Sequence, residues 1–417
     1  MYRREFAIAL IILAAFVFAC GCTGTGTTTT ADENVIGVLL PLTGDYTESG
    51  KAVRSAVEVA AEDVNNYFTQ IGSTFQIRLV VEDTATDPAV ALDKLKQLEK
   101  EGIRIVIGPG SSAELEAIRS YADEHGILVV STMSTAPSLA IEGDNVFRFV
   151  PPDTFQADAM AYCLEEDGIA AVVPVWRGDV WGDELRNLTK GAFEEAGGAF
   201  FDGVMYTPGT EDYGDLVSDL DMQVGRAIDT HGAGNVGVYA VTFSEIVPIM
   251  ETASGTGNLS QVRWYGCDAN VLLDTLTAPG DAARFAAQTD FTGPAIGNAN
   301  RDPRAQVVYQ KIQDRLGHKP DGYSMASYDA VWVVALTGIQ TSSTDVHDLK
   351  AALTETASWY QGSQGTAVEL DSAGDPSTAH YVFWSFGRDG DAYGWEQVYT
   401  YNIWGPGMLP EFEPVGS

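Results

Sequence analysis

The chain has 417 residues, 45% of them apolar, with 24 Lys and Arg against 58 Asp and Glu. That length allows two domains with full cores. A formal charge of −34 excludes a nucleic-acid or anionic-lipid surface, which needs a basic footprint, and fits a solvated acidic exterior.

Arg3 and Arg4 precede an unbroken apolar run over residues 6–19, shorter than the roughly 20 residues of a spanning helix. Ala19, Cys20, Gly21 and Cys22 follow. Residues 1–22 therefore predict a secretory signal. The segment resembles a prokaryotic lipoprotein signal, in which a Cys after a small residue is lipidated and becomes the mature N-terminus. The resemblance implies lipidation at Cys22, after Gly21, with Cys20, after Ala19, as the alternative. An uncleaved membrane anchor is the other reading. Residues 23–33, rich in Thr and Gly, predict a flexible tether. The body then lies outside the cytoplasm, at the outer face of the cell membrane. Only Cys163 and Cys267 remain in it. Their predicted positions, a helix end and the end of a strand, fall at opposite sheet edges, so no disulfide is expected.

Residues 34–44 (NVIGVLLPLTG) predict a buried strand and its loop, and 50–64 an amphipathic helix. A strand at 75–83 and a helix at 89–100 follow. The next unit organises the chain. The β-branched run IRIVIG (103–108) ends in Gly-Pro-Gly, then Ser111 and Ser112 lead into a helix at 113–125. ILVVS (127–131) is the next strand, and Ser134 and Thr135 stand just before Pro137. Two neighbouring parallel strands would thus end in hydroxyls and free backbone N–H groups, at the edge where open α/β sheets bind ligands. This predicts a small polar ligand held without a nucleophile or a metal. The competing reading of Ser111 or Ser112 is a helix N-cap, with Glu114 following.

FRFVPPD (147–153) marks a boundary at Pro151 and Pro152, after which the pattern restarts. Helices are predicted near 156–165, 185–196, 215–228 and 244–253, and strands at 169–176, 203–206, 235–242 and 262–266. The fold class is α/β, with two open sheets of similar size. Beyond Leu272 the pattern loosens. A strand at 291–296 is expected to return to the first lobe. Helices follow at 303–316, 324–339 and 346–355, then strands at 366–370 and 380–386, and an irregular tail after Trp404.

The pieces IGVLLPLTG, IGPGSS, GILVVSTMSTAPSL, FRFVPPD, VWGDEL, YSMASYDAVWVVA and ELDSAGDP with HYVFWSF occur in this order. Together they resemble type I periplasmic solute-binding proteins of the leucine/isoleucine/valine- and amide-binding family, from about Asn34 to Val398. The resemblance implies two Rossmann-like open-sheet lobes joined by a three-crossover hinge. Lobe 1 would be residues 34–150 and 290–378, and lobe 2 residues 151–289 and 379–417. It implies a ligand α-carboxylate held by Ser112 and by Met133, Ser134 and Thr135, with Ser111 beside them. Asp268 would hold the ammonium, because a buried cation needs a counter-charge. Aromatic walls would come from Trp181 and Phe243, with Tyr46 and Trp176 as further candidates. Trp181 stands where relatives often carry Tyr, which narrows the cleft.

The implied protein delivers a small amino-acid or amide ligand to an ABC permease. It would be a monomer without cofactor, touching the membrane only through its lipid and binding no nucleic acid. The alternative is a receptor of the same fold that senses amides or other small organic solutes and would carry a signalling domain. A hydrolase using Asp179 and Asp183 has little support, since acidic loops follow from the composition. Asn187 and Asn258 begin glycosylation sequons, and DGDAYG (389–394) only faintly resembles a calcium loop, with Thr400 at its twelfth position.

Overall fold

Apolar runs and amphipathic helices sort into two sheets in the computed structural model, which describes residues 33–297, 303–341, 343, 345–363 and 368–415. The expected signal, the tether up to residue 32, and Cys20 and Cys22 lie outside the described residues. The first sheet contains β1 (Glu33–Leu40), β2 (Gln76–Asp83), β3 (Ile105–Ile107), β4 (Leu128–Ser131) and β5 (Val146–Arg148). Its order is β2-β1-β3-β4-β5 and every pairing is parallel. Strand β4 is buried along its whole length, as expected where helices cover both faces. Helices α1 (Thr47–Gln70), α2 (Pro88–Lys100) and α3 (Ser112–His125) make the connections. Asp87 caps α2 by accepting from Ala89 and Val90 amides, with Pro88 at the first helical position.

Helix α4 (Asp153–Glu166) opens the second half. Then come β6 (Ala171–Arg177), α5 (Val180–Glu195), β7 (Ala199–Phe200), β8 (Val204–Tyr206), α6 (Gly214–His231) and β9 (Val236–Val241). Helix α7 (Ile246–Ala253), β10 (Arg263–Tyr265), α8 (Asp274–Thr277), α9 (Asp281–Gln288) and β11 (Thr292–Ile296) follow. Helices α10 (Pro303–Leu316), α11 (Gly322–Thr341) and α12 (Val346–Trp359) lead to β12 (Ala379–Asp389), β13 (Ala392–Ile403) and β14 (Glu411–Pro414). The second sheet runs β14-β13-β12-β11-β10-β9-β6-β7, with β8 also on β6. Pairing is parallel from β7 to β11 and antiparallel from β11 to β14.

Three expectations are corrected. The strand at 291–296 does not return to the first lobe: β11 pairs with β10 at Tyr265 and with β12 from Ser385 to Tyr381. Phe291, just before it, is fully buried in the second core, which fixes the strand there. The segment 290–378 therefore divides, and α10 and α11 pack on α1 of the first lobe while β11 stays in the second sheet. The tail after Trp404 is not wholly irregular, because β14 pairs antiparallel with β13. The expected strand at 366–370 is a single bridge between Leu370 and Pro376, and residues 364–367 lie outside the described set. Cys163 and Cys267 are buried free thiols.

The chain thus passes between the sheets three times: at Phe149–Pro152, after β11, and after α12. A buried ion pair joins the first and third of these passages. Arg148 at the end of β5 donates from Nε to Asp375 Oδ1 at 2.6 Å, and from Nη1 to the Ala136 carbonyl at 2.7 Å.

Candidate functional site

The sharp turn after β3 depends on Gly108. Its φ is +104°, and a Cβ there would lie 2.1 Å from the Leu39 carbonyl oxygen. The turn delivers Ser111 and Ser112 to the start of α3, and they take different roles. Ser111 Oγ accepts the Glu114 N–H at 3.3 Å, while the Glu114 carboxylate accepts the Ser111 N–H at 2.7 Å. This is a complete capping box, and it commits the Ser111 hydroxyl to the helix. Ser112 Oγ instead accepts the amides of Thr135 and Ala136, both at 3.2 Å, and lies 3.2 Å from Ser134 Oγ. The Thr135 and Ala136 N–H groups at this edge are therefore satisfied within the protein. A hydroxyl has two lone pairs and one proton. With amides on its lone pairs, the Ser112 proton is left to Ser134 Oγ or to an acceptor in the cavity.

Thr135 Oγ1 donates to Asp153 Oδ2 at 3.0 Å, and the Asp153 amide returns a bond to the Thr135 carbonyl at 3.0 Å. Gln156 carries the chain onward. Its amide nitrogen donates to Asp153 Oδ1 at 3.1 Å, and its carbonyl accepts the Asp268 N–H at 2.9 Å. Four residues from both halves of the molecule are joined in one relay. At its end stands an imbalance. Asp268 is only 4% exposed, and neither carboxylate oxygen has a hydrogen-bond partner of good geometry among the described residues. Burial pushes its pKa from 3.8 to about 6, against the milder pull of the Tyr323 phenol and Gln156. Asp153 is pushed well above the carboxylate range, first by burial and next by Asp268, with Thr135 and Arg148 opposing. The pair holds a proton more readily than either acid would alone.

Aromatic rings close over this floor. Tyr46, in the loop before α1, stacks on Phe243, in the loop after β9, with centroids 4.0 Å apart and planes 5° apart. Trp181, in the first turn of α5, stacks on Phe243 at 4.8 Å. Tyr323 meets Tyr46 edge-on at 6.2 Å. Tyr46, Ser111, Ser112, Met133, Trp181, Phe243 and Tyr323 enclose a cavity of about 10 Å³, room for about one water molecule. The halves are latched around it. Asp45 accepts from Arg177 at 2.9 Å, Ser138 N–H donates to Glu184 at 3.1 Å, and Thr275 Oγ1 donates to Glu48 at 2.8 Å. A cavity of about 670 Å³ lies elsewhere, at the amino edge of the first sheet beside Phe75, Ile103 and Ile339. It contains none of the candidate residues.

The structure brings Tyr46, Ser111, Ser112, Met133, Trp181 and Phe243 to one cavity. Ser134 and Thr135 lie buried behind Ser112, and Asp268 beside Tyr323. It does not bring Trp176 there: its indole N–H donates to Asp183 at 2.8 Å and its ring lies under the Arg186 guanidinium. Alternation along β6 turns it away from Arg177. Tyr323, Asp153 and Gln156 escaped the sequence reading. Tyr323 and Asp153 both sit in quoted motifs, YSMASYDAVWVVA and FRFVPPD, that served only as fold markers. An aromatic opening a helix, and an acid just after a double proline, are the signals that could have found them.

This arrangement defines a class: a two-lobed binding protein with a closed polar-and-aromatic cleft and no catalytic constellation among its lining residues. A family model described as periplasmic binding protein matches residues 34–384, and the chain belongs to that family, one of solute-binding proteins rather than enzymes. A Leu/Ile/Val-binding protein homologue of Brucella melitensis is 30% identical over 74% of this chain and 80% of its own length. An uncharacterised protein of Methanocaldococcus jannaschii is 27% identical over 86% of this chain and 88% of its own. The crystal structure of a leucine-binding protein, LivK, from Thermotoga maritima superposes with a TM-score of 0.69 at 23% identity, covering 87% of this chain and 97% of that one.

Proposed function

We propose that this chain is the extracytoplasmic binding component of an ABC importer and takes a small amino-acid-like ligand between its lobes. The observation that carries the reading is Asp268, a buried carboxylate with no hydrogen-bond partner of good geometry, close to a cavity floored by neutral hydroxyls. A buried anion eased only by the Tyr323 phenol and Gln156 is costly, and a ligand ammonium would relieve it. Ser112, with both lone pairs engaged, offers its proton to a ligand carboxylate. Together these features fit a zwitterion. Trp181, Phe243 and Tyr46 would then cover the rest of the ligand as the lobes close about the passages near Pro151 and Pro152. Lipid on Cys22, or Cys20, would hold the protein at the outer face of the membrane, and a monomer would dock on the permease.

Calorimetry of the full chain against the amino acids and short amides tests the ligand class. The expected result is saturable heat with one or more α-amino acids and none with the matching des-amino acids. Equal binding of the des-amino compounds would refute the role given to Asp268. Mass spectrometry of ligand carried through native purification would name the compound.

A further inference from the structure

A pocket of about 260 Å³ opens on the flank of the junction between the lobes, apart from the cleft. Leu272, Asp274 and Trp395 line it from the second lobe, and His318 and Lys319, in the loop between α10 and α11, from the first. Its size suits a ligand smaller than a drug-sized molecule. The Trp395 indole N–H is buried and has no acceptor among the described residues, although buried donors are almost always paired. Its ring is held edge-on against Phe386, with centroids 4.9 Å apart, so the N–H is not free to turn toward water. Lys319 makes no ion pair among the described residues, in a chain with 58 Asp and Glu. Its ammonium lies instead 5.0 Å from the Trp384 ring centroid. Leu272 and Trp395 pack against Val382 and Trp384, which gives the pocket an apolar floor. The wall they belong to is fixed. Leu272 holds a φ of +61°, a costly conformation for a bulky side chain. Glu48 of the first lobe clamps the next turn, accepting the Thr275 N–H at 3.3 Å and its hydroxyl at 2.8 Å.

We propose that this pocket is a second ligand site, for a small monocarboxylate with a flat apolar body. Lys319 and the Trp395 N–H supply donors for the two carboxylate oxygens, and Leu272 and the indole face cover the body. Asp274, exposed on the rim, repels a second negative charge and so limits the ligand to one. The inference does not depend on the amino-acid reading, because it concerns other residues and another ligand.

The test is calorimetry of the full chain with benzoate as the probe, and with benzamide and benzylamine as its neutral and cationic counterparts. Native protein should give saturable heat with benzoate at millimolar concentration. It should bind the other two at least about tenfold more weakly, as when a bond to a charged group is lost. Lys319→Gln should weaken benzoate at least about fivefold. Trp395→Phe, which removes the N–H and keeps an aromatic ring, should weaken it at least about twofold. Lys319 is exposed, so its variant decides even where Trp395→Phe fails to fold. Ser112→Ala, a change in the cleft, should leave benzoate affinity within about twofold. Loss of benzoate in Ser112→Ala with full binding in Lys319→Gln would place the probe in the cleft and overturn the inference. No heat with benzoate overturns it too, as does equal binding of benzamide.

Discussion

Replacing Asp268 by Asn should raise stability while it destroys binding. The side chain is buried, and its pKa rises from 3.8 to about 6, chiefly through burial. At about 1.4 kcal/mol per pH unit, keeping it ionised costs the folded state about 3 kcal/mol at neutral pH. The sign follows from proton uptake. Between pH 4 and 6 the folded protein keeps a proton that the unfolded chain has lost, so stability falls as pH rises through that window and is flat above it. Asn is never charged, which removes this cost. With an unfolding entropy of about 2.1 cal/mol/K per residue, the melting temperature of a chain this size should rise by about 3–4 °C at pH 7 and by little at pH 4. Binding should move the other way. Removing one partner of a buried charge pair costs about 2–5 kcal/mol, a loss of roughly 30-fold to several thousand-fold in affinity. In native protein an ammonium ligand should bind more tightly as pH rises toward 6 and level off above it. Thermal melts from pH 4 to 8, with calorimetry on both proteins, check each part. A lower melting temperature for the variant at pH 7, or an affinity within threefold of native, would refute the reasoning.

The two serines should separate cleanly. Ser112→Ala leaves two buried amides without an acceptor and removes the ligand donor, so affinity should fall by about 1–3 kcal/mol in a titration. Ser111→Ala removes a helix cap and the hydroxyl bond to the Glu114 carboxylate, costing about 1 kcal/mol or more of stability in a melt, with affinity nearly unchanged. Trp176→Ala should leave affinity within about twofold by calorimetry, because surface substitutions away from a site usually cost under about 0.5 kcal/mol. Asp375→Asn strips Arg148 of its buried counter-charge, and denaturant unfolding should show about 3–5 kcal/mol of lost stability.

Local patterns carried most of the fold. The β-branched density of residues 103–108 and 127–131, with a helical period between them, made the parallel unit readable, as did Pro151 and Pro152 at the boundary. The strand at 292–296 was misassigned because its partner, β12, lies about 90 residues later in the chain, and no local pattern announces that pairing. Strand β13 went unread because its residues are mostly half-exposed on both faces, with no alternation to mark a strand. At the site, residue types at strand ends were legible while their hydrogen-bond partners were not. Nothing in Ser111-Ser112 says which hydroxyl caps the helix, because that depends on where Glu114 and the Thr135 amide come to lie. Arg177 was hidden for a related reason. Its meaning resides in Asp45 and Glu245, more than sixty residues away on either side.

The relay from Thr135 through Asp153 and Gln156 to Asp268 has a kinetic consequence. Asp153 stands directly beside the first passage between the lobes, and atoms near a pivot travel least when the arms swing. On the proposed function, the seats for the two ends of the ligand's backbone would thus be spaced by a short gauge that moves little. A solute would then be gripped by its common end before the arms meet. Its side chain would be judged last, at the moment of closing, so a wrong solute would be released by a failed closure rather than refused at the door.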